Sequence, residues 1–138
     1  MAREQDERPS PPGPMNTNLV VRRLLCGCAT LLLLGLAWWT LSGAVRNVAQ
    51  AKAFWQQVET AVQFAGGLLG IAVVVTRFRW RSWFRPVRLA WAVALAAFGG
   101  LSALVWGPPQ PHVALLFVVV ALLLAWAILW ALGPAPAP

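Results

Sequence analysis

Charge is what this sequence lacks first. Only 11% of its 138 residues are Asp, Glu, Lys or Arg, whereas a soluble domain carries about 25%. So apolar a chain cannot cover a water-facing surface, and the composition points to a membrane. Acid is scarcer still. Beyond Glu4, Asp6 and Glu7 near the start, Glu59 is the only acidic residue, so a carboxylate pair for acid–base catalysis is excluded. There is one histidine, His112. One imidazole supplies neither the two axial ligands of a haem held between helices nor the three or four of a zinc site. Cysteine is limited to Cys26 and Cys28. Two positions apart on a helix, they point about 200° apart and do not bridge, so they form no disulfide framework. Tyrosine is absent, and there is neither a glycine-rich phosphate loop nor a Ser-His-Asp set. These gaps predict a protein that is not an enzyme and carries no cofactor or metal.

What is present is organised around residues 76–88. Five of the eleven basic residues, Arg77, Arg79, Arg81, Arg85 and Arg88, sit there among Phe78, Trp80, Trp83 and Phe84. An Arg at a bilayer centre costs roughly 2.5–3.5 kcal/mol on insertion scales, so five together mark a loop at the membrane surface. Arg77, Arg81, Arg85 and Arg88 recur on one helical face, and Trp80, Trp83, Phe84 and Val87 on another. Pro86 disfavours helix at Arg85, which predicts a bend there, and suits the first turn of the next span. The membrane-surface anchor is therefore read as Arg77, Arg79, Trp80, Arg81, Trp83, Arg85 and Arg88, lying on anionic lipid headgroups. Alternating Arg and Trp also suits nucleic acid. Flanking apolar runs favour the bilayer, so no nucleic-acid partner is expected.

A spanning helix needs about 20 apolar residues. Four runs qualify, at about 24–45, 58–76, 87–106 and 112–132. They predict an all-α integral membrane bundle of four transmembrane helices, occupying residues 23–133. Before it, residues 1–22 read as a disordered, Pro-rich cytoplasmic tail. After it, residues 134–138 form a short Ala/Pro tail. A cleaved signal peptide ending at Ala49-Gln50-Ala51 is the rival for the first run, but that run is longer than a usual leader core. No Gly or Pro interrupts residues 44–65. The connection is therefore expected to be helical or interfacial, with Val48, Trp55 and Val62 at heptad spacing on one stripe.

Four spans put the N-terminus, the arginine loop and the C-terminus on one side. That side holds nine basic residues, against Arg46 and Lys52 on the other. The bias predicts cytoplasmic termini. Trp55 and Trp106 then fall at the outer boundary, and Trp80, Trp83 and Trp130 at the inner one.

Small residues predict helix packing. Gly66 and Gly70 form a GxxxG in the second span, and Ala92, Ala96 and Gly100 make a smooth face on the third, expected to pack against the second. Glu59 is expected in the first turn of span two, where it complements the helix dipole. Lys52, one heptad earlier, shares its face. Glu59 and Lys52 are thus the candidate polar site, a proton or cation site in a small transporter. The small multidrug resistance proteins resemble this layout in span number and length. Their essential glutamate lies in the first span, however, where this chain has no acid. Membrane disulfide oxidoreductases also have four spans, but carry Cys-x-x-Cys and further cysteines near the outer surface, unlike the lone Cys26-x-Cys28 here.

One run is familiar as a whole: Trp83-Phe84-Arg85-Pro86-Val87-Arg88-Leu89-Ala90-Trp91, then Gly99-Gly100-Leu101 and Val105-Trp106-Gly107. It resembles small four-span bacterial inner-membrane proteins of no assigned activity, and implies the same topology. The expected function is a non-enzymatic inner-membrane protein, a structural or accessory subunit acting by helix packing with its own copies or another membrane protein. The alternative is a small proton-coupled transporter using Glu59.

Overall fold

A computed structural model describes residues 17–106 and 110–133. Four helices follow in order: α1 (Thr17–Val48), α2 (Phe54–Phe78), α3 (Phe84–Trp106) and α4 (Pro111–Leu132). A short 3₁₀ turn, Arg81–Trp83, precedes α3. No strand occurs among the described residues. Each of the four is long and apolar enough to cross a membrane. The expected disordered ends at 1–16 and 134–138, and the 107–109 break, lie outside the described residues.

Each helix packs on the next in sequence, and α4 closes back on α1. Short connections force antiparallel neighbours, so the bundle runs up-down-up-down. The start of α1, the end of α2 and the end of α4 meet at one end of the bundle. There Arg77 of α2 donates to the Gly133 carbonyl at 3.5 Å and to Cys26 Sγ of α1 at 3.1 Å. We call this the arginine end, and the other the Glu59 end.

Helix bounds differ from expectation in three places. First, α1 begins at Thr17, so residues 17–22, expected in the tail, are helical. At 1.5 Å per residue its 32 residues span about 48 Å, longer than the roughly 30 Å hydrocarbon layer. Second, the α1–α2 connection is a tight turn. The Asn47 carbonyl accepts from the Gln50 and Ala51 N–H groups at 3.0 and 2.9 Å, ending α1 without Gly or Pro. Gln56 Oε1 then accepts from the Lys52 and Ala53 N–H groups at 3.1 and 3.2 Å, satisfying donors ahead of α2. Val48 and Trp55 are both exposed, on different helices, so the predicted common stripe does not form. Third, the chain turns at Arg79–Trp80 rather than at Arg85. Pro86 falls in the first turn of α3, where its missing N–H breaks no helical bond.

The core contains Ala29 and Leu33 of α1, Val73 of α2, Phe84, Trp91 and Leu95 of α3, and Ala125, Ile128 and Leu132 of α4. Phe84, expected with the surface aromatics, is 1% exposed and plugs the arginine end. Large apolar side chains cover the outside on every helix, as a hydrocarbon solvent requires. Threonine hydroxyls inside the spans are satisfied by their own helix. Thr30, Thr40, Thr60 and Thr76 each donate to a carbonyl one turn back. At the end of α4, Gly133 has φ 70°, the left-handed backbone that glycine adopts without strain.

α2 encloses the largest share of its apolar stretch, because glycine lets its neighbours in. A Cβ on Gly67 would lie 2.5 Å from Leu41 Cγ and 2.9 Å from Thr40 Oγ1 of α1. One on Gly70 would lie 3.1 Å from Ala37 Cβ of α1 and 3.3 Å from Trp91 Nε1 of α3.

Candidate functional site

α2 buries three polar residues within little more than a turn, Glu59, Thr60 and Gln63, toward the Glu59 end. Glu59 is the sixth residue of α2, past the first turn where the sequence placed it. It is 2% exposed. Its stabilisation comes from α3 and not from the helix terminus. Ser102 Oγ donates to Oε1 at 2.7 Å, and Trp106 Nε1 donates to Oε2 at 2.9 Å. Ser102 and Trp106 are four apart and share one face of α3. Their spacing matches the two carboxyl oxygens, and both donors are neutral. Removing a charged group from water is costly unless its lone pairs are engaged. Here each oxygen has a donor.

One turn deeper, Gln63 faces α1. Asn47 Nδ2 donates to Gln63 Oε1 at 3.3 Å. Gly43 makes room for that amide, since a Cβ there would lie 2.6 Å from Gln63 Nε2. A void of about 10 Å³ follows, lined among others by Thr40, Gln63, Gly66, Trp91 and Phe98. That is about the minimum for one water. The arrangement is a polar ladder on the inner face of α2 that holds the Glu59 carboxyl group against two neutral donors of α3.

Lys52 is not part of it. Its backbone serves Gln56, and the residue is exposed in the turn before α2. His112 is exposed at the second position of α4. Cys28 is exposed, and Cys26 is half-buried against Arg77. No group of three potential metal ligands occurs among the described residues.

The packing residues divide among partners. A Cβ on Gly66 would lie 3.9 Å from Ala94 Cβ of α3, and Gly70 sits between α1 and α3. Gly100 faces Val118 of α4 rather than α2, and a Cβ on its neighbour Gly99 would lie 3.2 Å from the Phe117 carbonyl oxygen of α4. The Ala92-Ala96-Gly100 face thus turns toward α4 at its Gly100 end, because Trp91, Ala94, Ser102 and Trp106 take the α2 side. Among the anchor residues, Arg79, Trp80, Arg81, Trp83 and Arg85 are exposed. Arg77 is half-buried, and the Arg88 guanidinium stands 5.7 Å from the Phe84 ring centre.

Ser102, Gln63, Asn47, Gly43 and Gly67 are not singled out by the sequence, which reads Trp106 only as a boundary aromatic. One signal was available: Ser102 is the only hydroxyl residue in α3 and stands four before Trp106.

Fold and site define a four-helix integral membrane bundle with one buried carboxylate. Compared with models of known families, with curated proteins and with solved structures, the chain matches none.

Proposed function

We propose that this chain is a non-enzymatic inner-membrane protein of bacterial type, with cytoplasmic termini, acting as a structural or accessory subunit by helix packing. The observation that carries the reading is the division of labour among its glycines. Gly43, Gly66, Gly67, Gly70, Gly99 and Gly100 each meet another helix of the same chain, whereas Gly27 and Gly35 of α1 have nothing within 4 Å. α1 is also the longest helix and the least enclosed. It offers a neighbouring membrane helix a close approach between Leu31 and Trp38, both largely exposed. Cytoplasmic termini rest on the nine-to-two bias of basic residues. A Gly27→Leu, Gly35→Leu chain should insert and fold but migrate as a smaller species in mild detergent, with crosslinks from position 31 lost. Unchanged size and crosslinks overturn the reading.

The second reading is a proton-coupled transporter using Glu59. It is favoured by a carboxylate 2% exposed among neutral donors only. Replacing Glu59 by Gln should then abolish pH-driven uptake in vesicles without loss of folded protein.

A further inference from the structure

At the arginine end, α1 and α4 meet without a connecting loop, and a groove of about 540 Å³ opens between them. Arg22 and Leu25 of α1, Arg88 of α3, and Leu129, Trp130 and Gly133 of α4 line it. We propose that this groove binds the phosphate and upper acyl region of one anionic phospholipid.

Three features of the groove lead there. First, the two guanidinium groups come from different helices that converge on the end of α4. Arg22 Nη2 lies 3.6 Å from where a Cβ on Gly133 would stand, and Arg88 is held by the Phe84 ring. Guanidinium presents paired N–H donors that match phosphate oxygens. Second, the nearby carbonyl has its own partner. Arg77 donates to the Gly133 oxygen, while Arg22 and Arg88 both line the groove. The only acidic side chain among the described residues, Glu59, lies at the opposite end. Third, the walls below the charges are apolar. Leu25 and Trp130, 44% and 68% exposed, present apolar surface there. A free phosphate ion needs the charges but not this wall. A phospholipid uses both, with its headgroup at the arginines and its chains along Leu25, Leu129 and Trp130. The groove adds a defined lipid site, built on Arg22 and α4, to the general contact of the 77–88 loop with headgroups.

The test is native mass spectrometry of the full chain in maltoside micelles, with added phosphatidylglycerol or phosphatidylcholine. Wild-type protein should retain phosphatidylglycerol and not phosphatidylcholine. The Arg22→Gln, Arg88→Gln variant should lose retention about tenfold or more, the scale of two headgroup-facing charges. Arg46→Gln with Lys52→Gln removes as many charges from the other end and should retain lipid as wild type does. Trp130→Ala keeps both arginines and the core intact, and should weaken lipid retention by itself. Equal retention of both lipids, or unchanged retention in the Arg22/Arg88 variant, overturns the proposal. So does full displacement of the lipid by equimolar sodium phosphate, which would make the groove a free-anion site.

Discussion

The indole N–H of Trp106, the last residue of α3, donates to Glu59 at 2.9 Å although the Trp ring is 56% exposed and the carboxylate only 2%. The ring lies in the outer layer of the bundle while its polar edge reaches inward. This one bond ties the last turn of α3 to the second turn of α2. Together with Ser102 it accounts for a carboxylate held in an apolar bundle.

Trp106→Phe keeps an aromatic ring, though a smaller one, and removes the donor. It should destabilise the protein by about 1–3 kcal/mol, because a buried oxygen is left unpaired. In a Glu59→Leu background the same change should cost much less, giving a coupling energy of about 0.5–3 kcal/mol. Chemical or thermal unfolding in detergent measures the cycle. Equal costs in both backgrounds would show that the two residues do not act together.

Adjacent glycines of α2 should respond oppositely to alanine. Gly67→Ala places a methyl 2.5 Å from Leu41 Cγ and should push α1 off α2, at about 1–3 kcal/mol. Gly66→Ala finds its nearest contact, Ala94 Cβ, at 3.9 Å, and should be neutral or stabilising by up to about 1 kcal/mol through helix propensity. Melting temperatures of the two variants, purified side by side, give the comparison. The reverse order would contradict the packing described.

Arg77 holds three helices together at the arginine end through Cys26 Sγ and the Gly133 carbonyl. Arg77→Ala should loosen that end without unfolding the bundle. In a Cys28→Ala background, Cys26 should then react severalfold faster with a small maleimide. An unchanged rate in folded variant protein would mean that Arg77 does not shield the thiol.

The proposed orientation rests on charge, so charge should be able to change it. Converting Arg77, Arg79 and Arg81 to Glu removes three positive charges from the arginine end and adds three negative ones. Inserted protein should become inverted or mixed in topology. A reporter fused after Pro138 reads the side directly. One that still reports the cytoplasm in all molecules would count against the positive-inside account.

Much of the architecture was legible because hydrocarbon imposes a simple rule: every spanning segment must be a long apolar helix. Length and hydropathy therefore marked four spans, Pro111 and Gly133 marked the limits of α4, and the arginine cluster marked the break between α2 and α3, although Arg77 lies in α2 and Arg85 and Arg88 in α3. The tight turn after Val48 was less legible. Its signal is a carbonyl of Asn47 taking two N–H groups, which no residue type announces.

Composition and one-dimensional pattern alone determined that this is a four-span membrane protein whose one acid beyond the N-terminal tail, Glu59, belongs to the second span. Tertiary structure alone decided which faces of those helices meet. Spacing shows that Ala92, Ala96 and Gly100 share a face, but both α2 and α4 are apolar enough to cover it, so only the packed bundle could assign Gly100 to Val118. Likewise Glu59 and Lys52 are close in sequence. Yet the carboxylate found Ser102 and Trp106, more than forty residues away. A buried oxygen in hydrocarbon takes whatever donor the neighbouring helix presents at its depth, and that depth is set by the register of α2 against α3, not by distance along the chain.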